Sequence, residues 1–580
     1  MDARTAAHTL AQIAAYLELR GENRFKTGAY ERAARAVQGL GADDLAPLLK
    51  SGALAATAGI GPATLSVIED LIRTGESSYL ERLRAEMPEG LLELLRLPGL
   101  GIAKIRKIHE ALGVTSVAEL EAAARDGRIA KLPRFSAKTA QGILAAIERA
   151  RAAGTRRRYA DARVEAESLL SWVSSHPEVA RAELAGSLRR HLEIVADVDV
   201  VAACRASAAP ADVARDFASG PGVTQADGVG TASVRVAFVD GTVLHVHCTT
   251  ASEYAPALWR ATGPDTHVDA MRERLAARGI RVEGDTMLDP HGRRVAVADE
   301  EAIYRLAAMA WIPPELRDDL DALDVAEGDA LPRLLTGSDI RGVLHSHTTW
   351  SDGKASVRQM ADAARERGWS YIGISDHSQA AFYAGGLSPD QVLEQHAEID
   401  AVNATLASSG FVVLKGIEAD ILPDGQLDYD PALLARFDYV IGSVHSRFKM
   451  NEREMTDRVL AALDSPWLTI LGHPTGRLLL SREPYAIDVD AVLERAAANG
   501  VAVEINADPH RLDLDWRYVR GALARGVTIE IGPDAHSPRG LDYTAYGVGM
   551  ARKGWVTADD VLNARSVEEV SSFARKRRER

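Results

Sequence analysis

Cysteine is nearly absent from this 580-residue chain, which holds only Cys204 and Cys248. Two thiols cannot build a disulfide framework, so the expected compartment is a reducing cytoplasm. No apolar run is long enough to span a bilayer, which removes the membrane from the expected partners. The opening stretch is not expected to be a secretory leader: "MDARTAAHTLAQIAAYLELRGE" carries an acid at its second residue and reads as an amphipathic helix rather than a signal peptide. Nor is there an excess of basic charge. The formal net charge of −14 excludes a protein coated in positive surface for general nucleic-acid binding, while leaving room for local basic patches. What the chain does have is length, enough for roughly four units at about 150 residues each.

Three regimes follow one another. Residues 1 to about 150 are Ala/Leu-rich, helical in period and broken by glycine turns. From about 155 to 310 helices mix with strand-like runs such as "VDVVAA", "SVRVAFV" and "VLHVHC". A proline- and acid-rich connector, "WIPPELRDDLDALDVAEGDALPRLL", reads as a docked linker. Beyond residue 339 short apolar strands alternate with helices, the pattern of a parallel α/β barrel-like unit. The expected units are 1–85, 86–154, 155–312, a linker at 313–338, and 339–580.

Nearly every strand of the last regime ends in a histidine or an acid: His345 and His347, Asp376-His377, Glu418 with Asp420, His445, His473, Glu504, then Asp534 and His536. In parallel α/β folds the C-terminal strand ends form the active face, so these side chains should converge. Imidazole and carboxylate together suit zinc, manganese or iron. The motifs "HSHTTWSDGK", "ISDHS", "GIEADI", "GSVHS", "GHPTGR" and "GPDAHS" resemble, in order, those of a PHP (polymerase and histidinol phosphatase) domain. The resemblance implies a distorted (β/α)7 barrel holding up to three ions, with Mn2+ or Zn2+ as the metal. It puts the ligands at His345, His347, Asp352, His377, Glu418, His445, His473, Asp534 and His536. Such a centre hydrolyses phosphoesters without a protein nucleophile. Arg447 and Arg477, just after two of those histidines, are candidate phosphate contacts.

The first regime indicates the kind of phosphoester. "TAGIGPATLSVIEDLIRTG" and "LPGLGIAKIRKIHEALGV" each set a Gly-x-Gly turn, Gly59 with Gly61 and Gly99 with Gly101, before a helix. "LPRFSAKTAQGILAAI" is a degraded third copy. These look like helix-hairpin-helix elements, whose turn and helix N-terminus hold a DNA phosphate without reading sequence. Lys104, Arg106 and Lys107 would add charge to the second. The basic runs "RARAAGTRRRYADAR" and "RKRRER" could also track backbone, although the second reads as solvated charge.

The middle regime resembles the fingers, palm and thumb of a family X DNA polymerase. "GSLRRHLEIVADVDVV" matches that family's motif, which implies Gly186, Ser187 and Arg190 at a nucleoside triphosphate and Asp197 and Asp199 on Mg2+ or Mn2+. "RATGPDTHVDAMRERLAARG" is similar to the segment that lines the nascent base pair, with Arg272 a further nucleotide contact. With the connector, the whole layout resembles bacterial PolX-type proteins.

Two departures qualify the resemblance. The family's third aspartate falls on His245, and a neutral imidazole cannot hold the catalytic metal and accept the primer hydroxyl's proton as a carboxylate does. Asp240 is no substitute, since "FVDGTV" reads as a hairpin turn. His245 and His247 share a strand face and could instead ligate a softer metal. The position of the family's Schiff-base lysine is Val67, which argues against lyase chemistry by that route. The expected function is therefore a cytoplasmic DNA-repair enzyme, nucleoid-associated during repair. Its C-terminal domain would act on DNA ends as a 3′–5′ exonuclease, with abasic-site or 3′-phosphate processing as further activities. Its polymerase activity would be weak or lost. The expected partners are gapped or nicked duplex DNA and dNTP, with the chain a monomer. An active polymerase with an unusual third ligand, a histidinol-phosphate-like phosphatase and a non-catalytic DNA-binding scaffold are the alternatives.

Overall fold

The computed structural model describes residues 1–40, 42, 44–86, 91, 94, 97, 100–153 and 156–579. Its N-terminal part is a set of short helices, several of them stopped by a left-handed glycine. Ala3–Arg20 is capped by Asp2, whose carboxylate accepts from the Thr5 N–H at 2.7 Å, and ends at left-handed Gly21. Its buried stripe of Ala6, Leu10, Ile13 and Leu17 recurs at helical spacing and packs against Arg24–Gln38. Two separate apolar cores result, one under the first hairpin and one under the second.

The middle part is built on a five-stranded sheet in the order Val179–Leu184, Val198–Cys204, Val243–Thr249, Ser233–Phe238, Val223–Asp227. The second and third of these run parallel, with Asp199 opposite His245. The helices Tyr254–Thr262, Asp265–Ala277 and Glu300–Leu306 follow as a thumb-like unit. Asp240 lies in the turn before Val243 and pairs with Arg4 at 2.8 Å, so it is withdrawn from the sheet's polar face.

The C-terminal part is a barrel of parallel strands. Its strands are Gly342–Val343, Tyr371–Ile374, Val412–Lys415 continued by Glu418–Asp420, Ile441–Ser443, Ile470–Leu471, Ala502–Asn506 and Ile529–Gly532. Parallel bridges Ser346–Ala535 and His377–Glu418 join its two sheet segments into a closed ring. Tyr439 is buried among the barrel strands, where a Cβ at Gly373 would meet its hydroxyl oxygen at 2.1 Å and one at Gly416 its Cζ at 2.2 Å; those two glycines admit it.

The connector is packed against both neighbours. Arg317 is fully buried, with Nη1 on Glu300 at 2.9 Å. Asp318 accepts from Arg190 of the palm-like sheet at 3.0 Å and from Lys553 of the barrel at 2.5 Å. Arg517 reaches Glu193 at 2.7 Å, and Trp555 donates its indole N–H to Asp319 at 2.9 Å. The terminal arginines are structural: Arg577 donates to the carbonyls of Leu463 and Ser465, and Arg578 to that of Phe437. Among the described residues no helix is long and apolar enough to cross a membrane.

Candidate metal centre

The segments that follow the barrel strands, together with Glu418 at the start of its own strand, carry the nine candidate ligands to one end of the barrel. Three overlapping groups have donor atoms within 4.8 Å of one another: His347, Asp352, His377 and His536; His345, His347 and Asp534; and His377, Glu418 and His445. His473 joins through Nε2, 3.0 Å from Glu418 Oε1. Glu418 is the hub, with His377 Nδ1 at 2.9 Å and His445 Nε2 at 3.3 Å. Asp534 stands 3.2 Å from His347 and 3.6 Å from His345.

Several of these imidazoles are buried with ring nitrogens that no hydrogen bond satisfies: His345 Nε2, both nitrogens of His347, His377 Nδ1 and His473 Nδ1. Buried polar atoms without partners are costly, and cations held among the three donor groups would satisfy several of them, among them His345 Nε2 and His377 Nδ1. The donor set of imidazole and carboxylate suits a first-row divalent ion. The residues present therefore fit a metal centre.

A second row of carboxylates orients the first. Glu504 accepts from His345 Nδ1 at 2.5 Å and from the His473 backbone N–H at 2.6 Å; Asp420 accepts from His445 Nδ1 at 2.6 Å. A Cβ at position 532 would strike Glu504 Oε1 at 2.0 Å, so Gly532 makes room for that carboxylate. Asp376 is a scaffold rather than a ligand: it accepts from the Thr348 N–H and hydroxyl and from Gln395 at 2.6–2.7 Å.

The charges are strongly coupled. Burial opposes ionisation of Glu418, but His445, His377 and His345 hold it well below the usual carboxylate range. Burial likewise disfavours a charged His345, yet Glu504, Asp534 and Glu418 outweigh it and hold the imidazole well above its ordinary value. His347 goes the other way, to about 4, through burial and its neighbours His377 and His536. The backbone is strained at the same place, with Asp534 at φ +49° and Arg447 at φ +59°.

The two candidate phosphate contacts separate. Arg447 is exposed beside the centre's strand ends. Arg477 is buried, and its donors are spent on the carbonyls of Arg511 and Leu512 and on Asp515, so it braces a loop instead of facing a phosphate. The loop it braces presents Arg511, whose Nε lies 3.7 Å from Asp534 Oδ2. Sequence reasoning missed Arg511; its signal was a position a few residues beyond the sixth strand's end, in "NADPHR".

The palm-like site is only partly assembled. Asp197, Asp199 and His245 share one face, with His245 Nε2 at 3.6 Å from Asp197 and Nδ1 at 4.0 Å from Asp199. Burial and the adjacent Asp197 raise Asp199 to about 7, against the opposing Arg190; burial lowers His245. Gly186, at φ +59°, abuts the Asp199 carboxylate, and a Cβ there would meet Oδ2 at 1.8 Å. Ser187 Oγ is buried without a partner. His247 is not part of the set: Asp285 holds its Nε2 at 2.5 Å and Ser233 its Nδ1, so no shared histidine ligand pair forms. Arg190 is likewise not aimed at a nucleotide but locked on Asp318 and the Thr262 carbonyl. Arg272 pairs along its own helix with Asp269 at 3.2 Å.

In the hairpins, Gly59 takes φ +98° and Gly61 begins helix Pro62–Thr74; Gly101 begins helix Ile102–Leu112. Gly61, Gly101, Lys104 and Lys107 are exposed, while Gly99 lies outside the described residues.

Four known protein families match parts of the chain. Residues 343–508 match the PHP domain, 257–318 the DNA polymerase beta thumb, 1–77 a helix-hairpin-helix domain and 91–149 the SAM-like helix-hairpin-helix tandem. The chain is similar to the DNA polymerase/3′-5′ exonuclease PolX of Bacillus subtilis (strain 168), with 37% identity over 570 residues and 98% of each chain covered. It is also similar to a probable phosphatase of Caldanaerobacter subterraneus subsp. tengcongensis, at 27% over 260 residues, 42% of this chain and 94% of that one. A probable phosphatase of Thermoanaerobacter sp. (strain X514) is 28% identical over 240 residues, 38% of this chain and 90% of that one.

Proposed function

The chain belongs to the bacterial PolX family, in which a family X polymerase-like core is joined to a PHP domain, and from that premise we propose that it is a metal-dependent phosphoesterase that removes nucleotides from DNA 3′ ends in its C-terminal barrel. The observation that carries the reading is the convergence of all nine ligand positions on one barrel end, with buried imidazole nitrogens left unsatisfied. Manganese or zinc, up to three ions, is the cofactor this donor set favours. Divalent ions held there supply Lewis acidity toward phosphoryl oxygens and an activated water.

The chain's own groups do the rest. Glu504 and Asp420 fix the orientation of His345 and His445, so each presents Nε2 inward. Arg511 puts a guanidinium against Asp534, where it can contact an anionic substrate, and exposed Arg447 can hold a flanking phosphate. The hairpins would bind duplex through backbone N–H groups at Gly61 and Gly101 without reading its sequence. Gapped or nicked DNA is the substrate form this arrangement suits, with the palm-like site as a presenting surface whose extension chemistry is weak. The similarity to probable phosphatases supports phosphoester hydrolysis by the barrel.

The test is digestion of 3′-labelled gapped duplex in manganese. His345→Ala and Asp534→Ala should each abolish hydrolysis while duplex affinity stays within about threefold, because the two residues lie far along the chain from the hairpins. Full hydrolysis by either variant would refute the assignment.

A further inference from the structure

The loop between the second barrel strand and helix Pro389–Leu406 reverses the usual burial rule. Its alanines point inward, Ala381 at 0% and Ala384 at 6% exposure, while Phe382 and Tyr383 stand out at 84% and 63%. Folding alone gives no reason to hold two adjacent aromatics in water.

The exposure is built in. The Leu387 N–H donates to the His377 carbonyl at 2.9 Å, and the Ala380 N–H to Asp428 Oδ2 at 2.5 Å. The Tyr429 hydroxyl holds the Leu387 carbonyl from below. A Cβ on Gly386 would collide with the Ser378 carbonyl oxygen at 1.8 Å, so the loop's two ends pack backbone to backbone. These ties fasten the loop's ends and leave its aromatic tip in solvent.

That tip stands beside the metal centre. The Tyr383 ring centroid is 6.4 Å from that of His377 and 6.5 Å from that of His445, and Phe382 meets Tyr383 edge-on at 6.2 Å. Arg511 stands at the same centre, its Nε 3.7 Å from Asp534 Oδ2, so a cationic group that suits a polyanion shares the neighbourhood. A phosphate monoester without a base would have no use for the two rings. A nucleotide would: every base has an apolar face, and aromatic side chains hold it without regard to sequence.

We propose that Phe382 and Tyr383 form a stacking platform for the terminal nucleobase of the DNA strand whose phosphodiester is cleaved at the adjacent His/Asp cluster. This rests on the nuclease reading above and adds to it the substrate feature recognised, a base at the strand end.

The experiment has two arms. In the first, an oligonucleotide with 2-aminopurine at its 3′ end is bound to full-length protein carrying Asp534→Ala. Fluorescence should be quenched on binding, and the quench should vanish when Phe382→Leu and Tyr383→Leu are added. In the second, hydrolysis of a base-bearing 3′ end is compared with that of an abasic 3′ end in manganese. The double variant should raise KM for the base-bearing end about five- to hundredfold, and by about tenfold more than for the abasic end. Tyr383→Phe should restore most of the loss, because the ring and not the hydroxyl stacks. Quenching that survives the double substitution, or equal KM penalties on both ends, overturns the platform. Absence of any 3′ hydrolysis by the native protein, with quenching intact, would sink the nuclease reading and leave the platform standing.

Discussion

His245 is the side chain on which the polymerase chemistry is proposed to turn. It lies beside Asp197 and Asp199, where the family resemblance places a third carboxylate to meet the primer hydroxyl, and its pKa is lowered by burial, so it stays neutral near pH 7. Two carboxylates can still hold a nucleotide's metal, since the triphosphate brings oxygens of its own. The catalytic metal lacks that supplement. Extension should therefore be slower by about a thousandfold or more, several kcal/mol in barrier. His245→Asp in an Asp534→Ala background, assayed on a primed gap, should extend sharply better. Vigorous extension by the parent protein in that background would disprove the expectation. His247 cannot compensate, because Asp285 and Ser233 already hold both its nitrogens.

At the level of elements, the helix starts at Gly61 and Gly101 are the features to test. Both are exposed, and the surroundings of each leave a Cβ unopposed. A bulky side chain there would consequently be tolerated by the fold and harmful only to a closely approaching phosphate. Gly61→Val with Gly101→Val should weaken gapped-duplex binding several-fold and flatten its salt dependence, read by fluorescence anisotropy across a salt series. Unaltered affinity and slope would leave these turns as ordinary structure.

Elements also mark what could be read before the structure. The convergence of histidines and acids was legible because strand ends in a parallel barrel share one face; the nine ligand positions came from the PHP resemblance. The arginines were not legible. Arg477 and Arg511 both follow strand ends closely, and only the loop path shows that the first braces the second. The pairing of Arg190 was hidden for another reason: its partner Asp318 is 128 residues away, and a motif carries no information about what a distant segment will neutralise. The platform at Phe382 and Tyr383 was invisible in sequence, where an aromatic pair reads as core.

At the scale of the whole molecule, a buried histidine of the thumb-like unit should contribute to acid sensitivity. Burial, and then Arg317, Arg190 and Arg274, push His267 down to about 3, while its Nε2 sits 2.8 Å from the Tyr304 hydroxyl. The unfolded chain would protonate the same ring near its ordinary value of about 6.5. Between those values the unfolded state binds more protons, so this contribution is complete above about 6.5 and is lost as the pH falls toward 3. The slope should approach about 1.4 kcal/mol per pH unit. Denaturant titrations between about pH 7 and pH 5 should show it, and His267→Gln should flatten it. An unchanged slope in that variant would assign the acid sensitivity elsewhere.

Asp318 has a consequence for nucleotide traffic. Asp318 pairs with Arg190, and if Arg190 is the triphosphate contact that the family resemblance implies, that carboxylate is a resident competitor which an incoming triphosphate would have to displace. It cannot simply swing aside, because Lys553 of the barrel grips its other oxygen. The nuclease half thus keeps a hand on the latch of the nucleotide half, and each departure of Arg190 leaves a lysine and an aspartate to share their charge alone. Asp318→Asn should loosen that latch: dNTP affinity, followed by nucleotide titration in manganese, should rise severalfold, while the connector becomes easier to cut by protease. A variant that binds nucleotide no better than the parent would mean that Arg190 has no errand at the triphosphate at all.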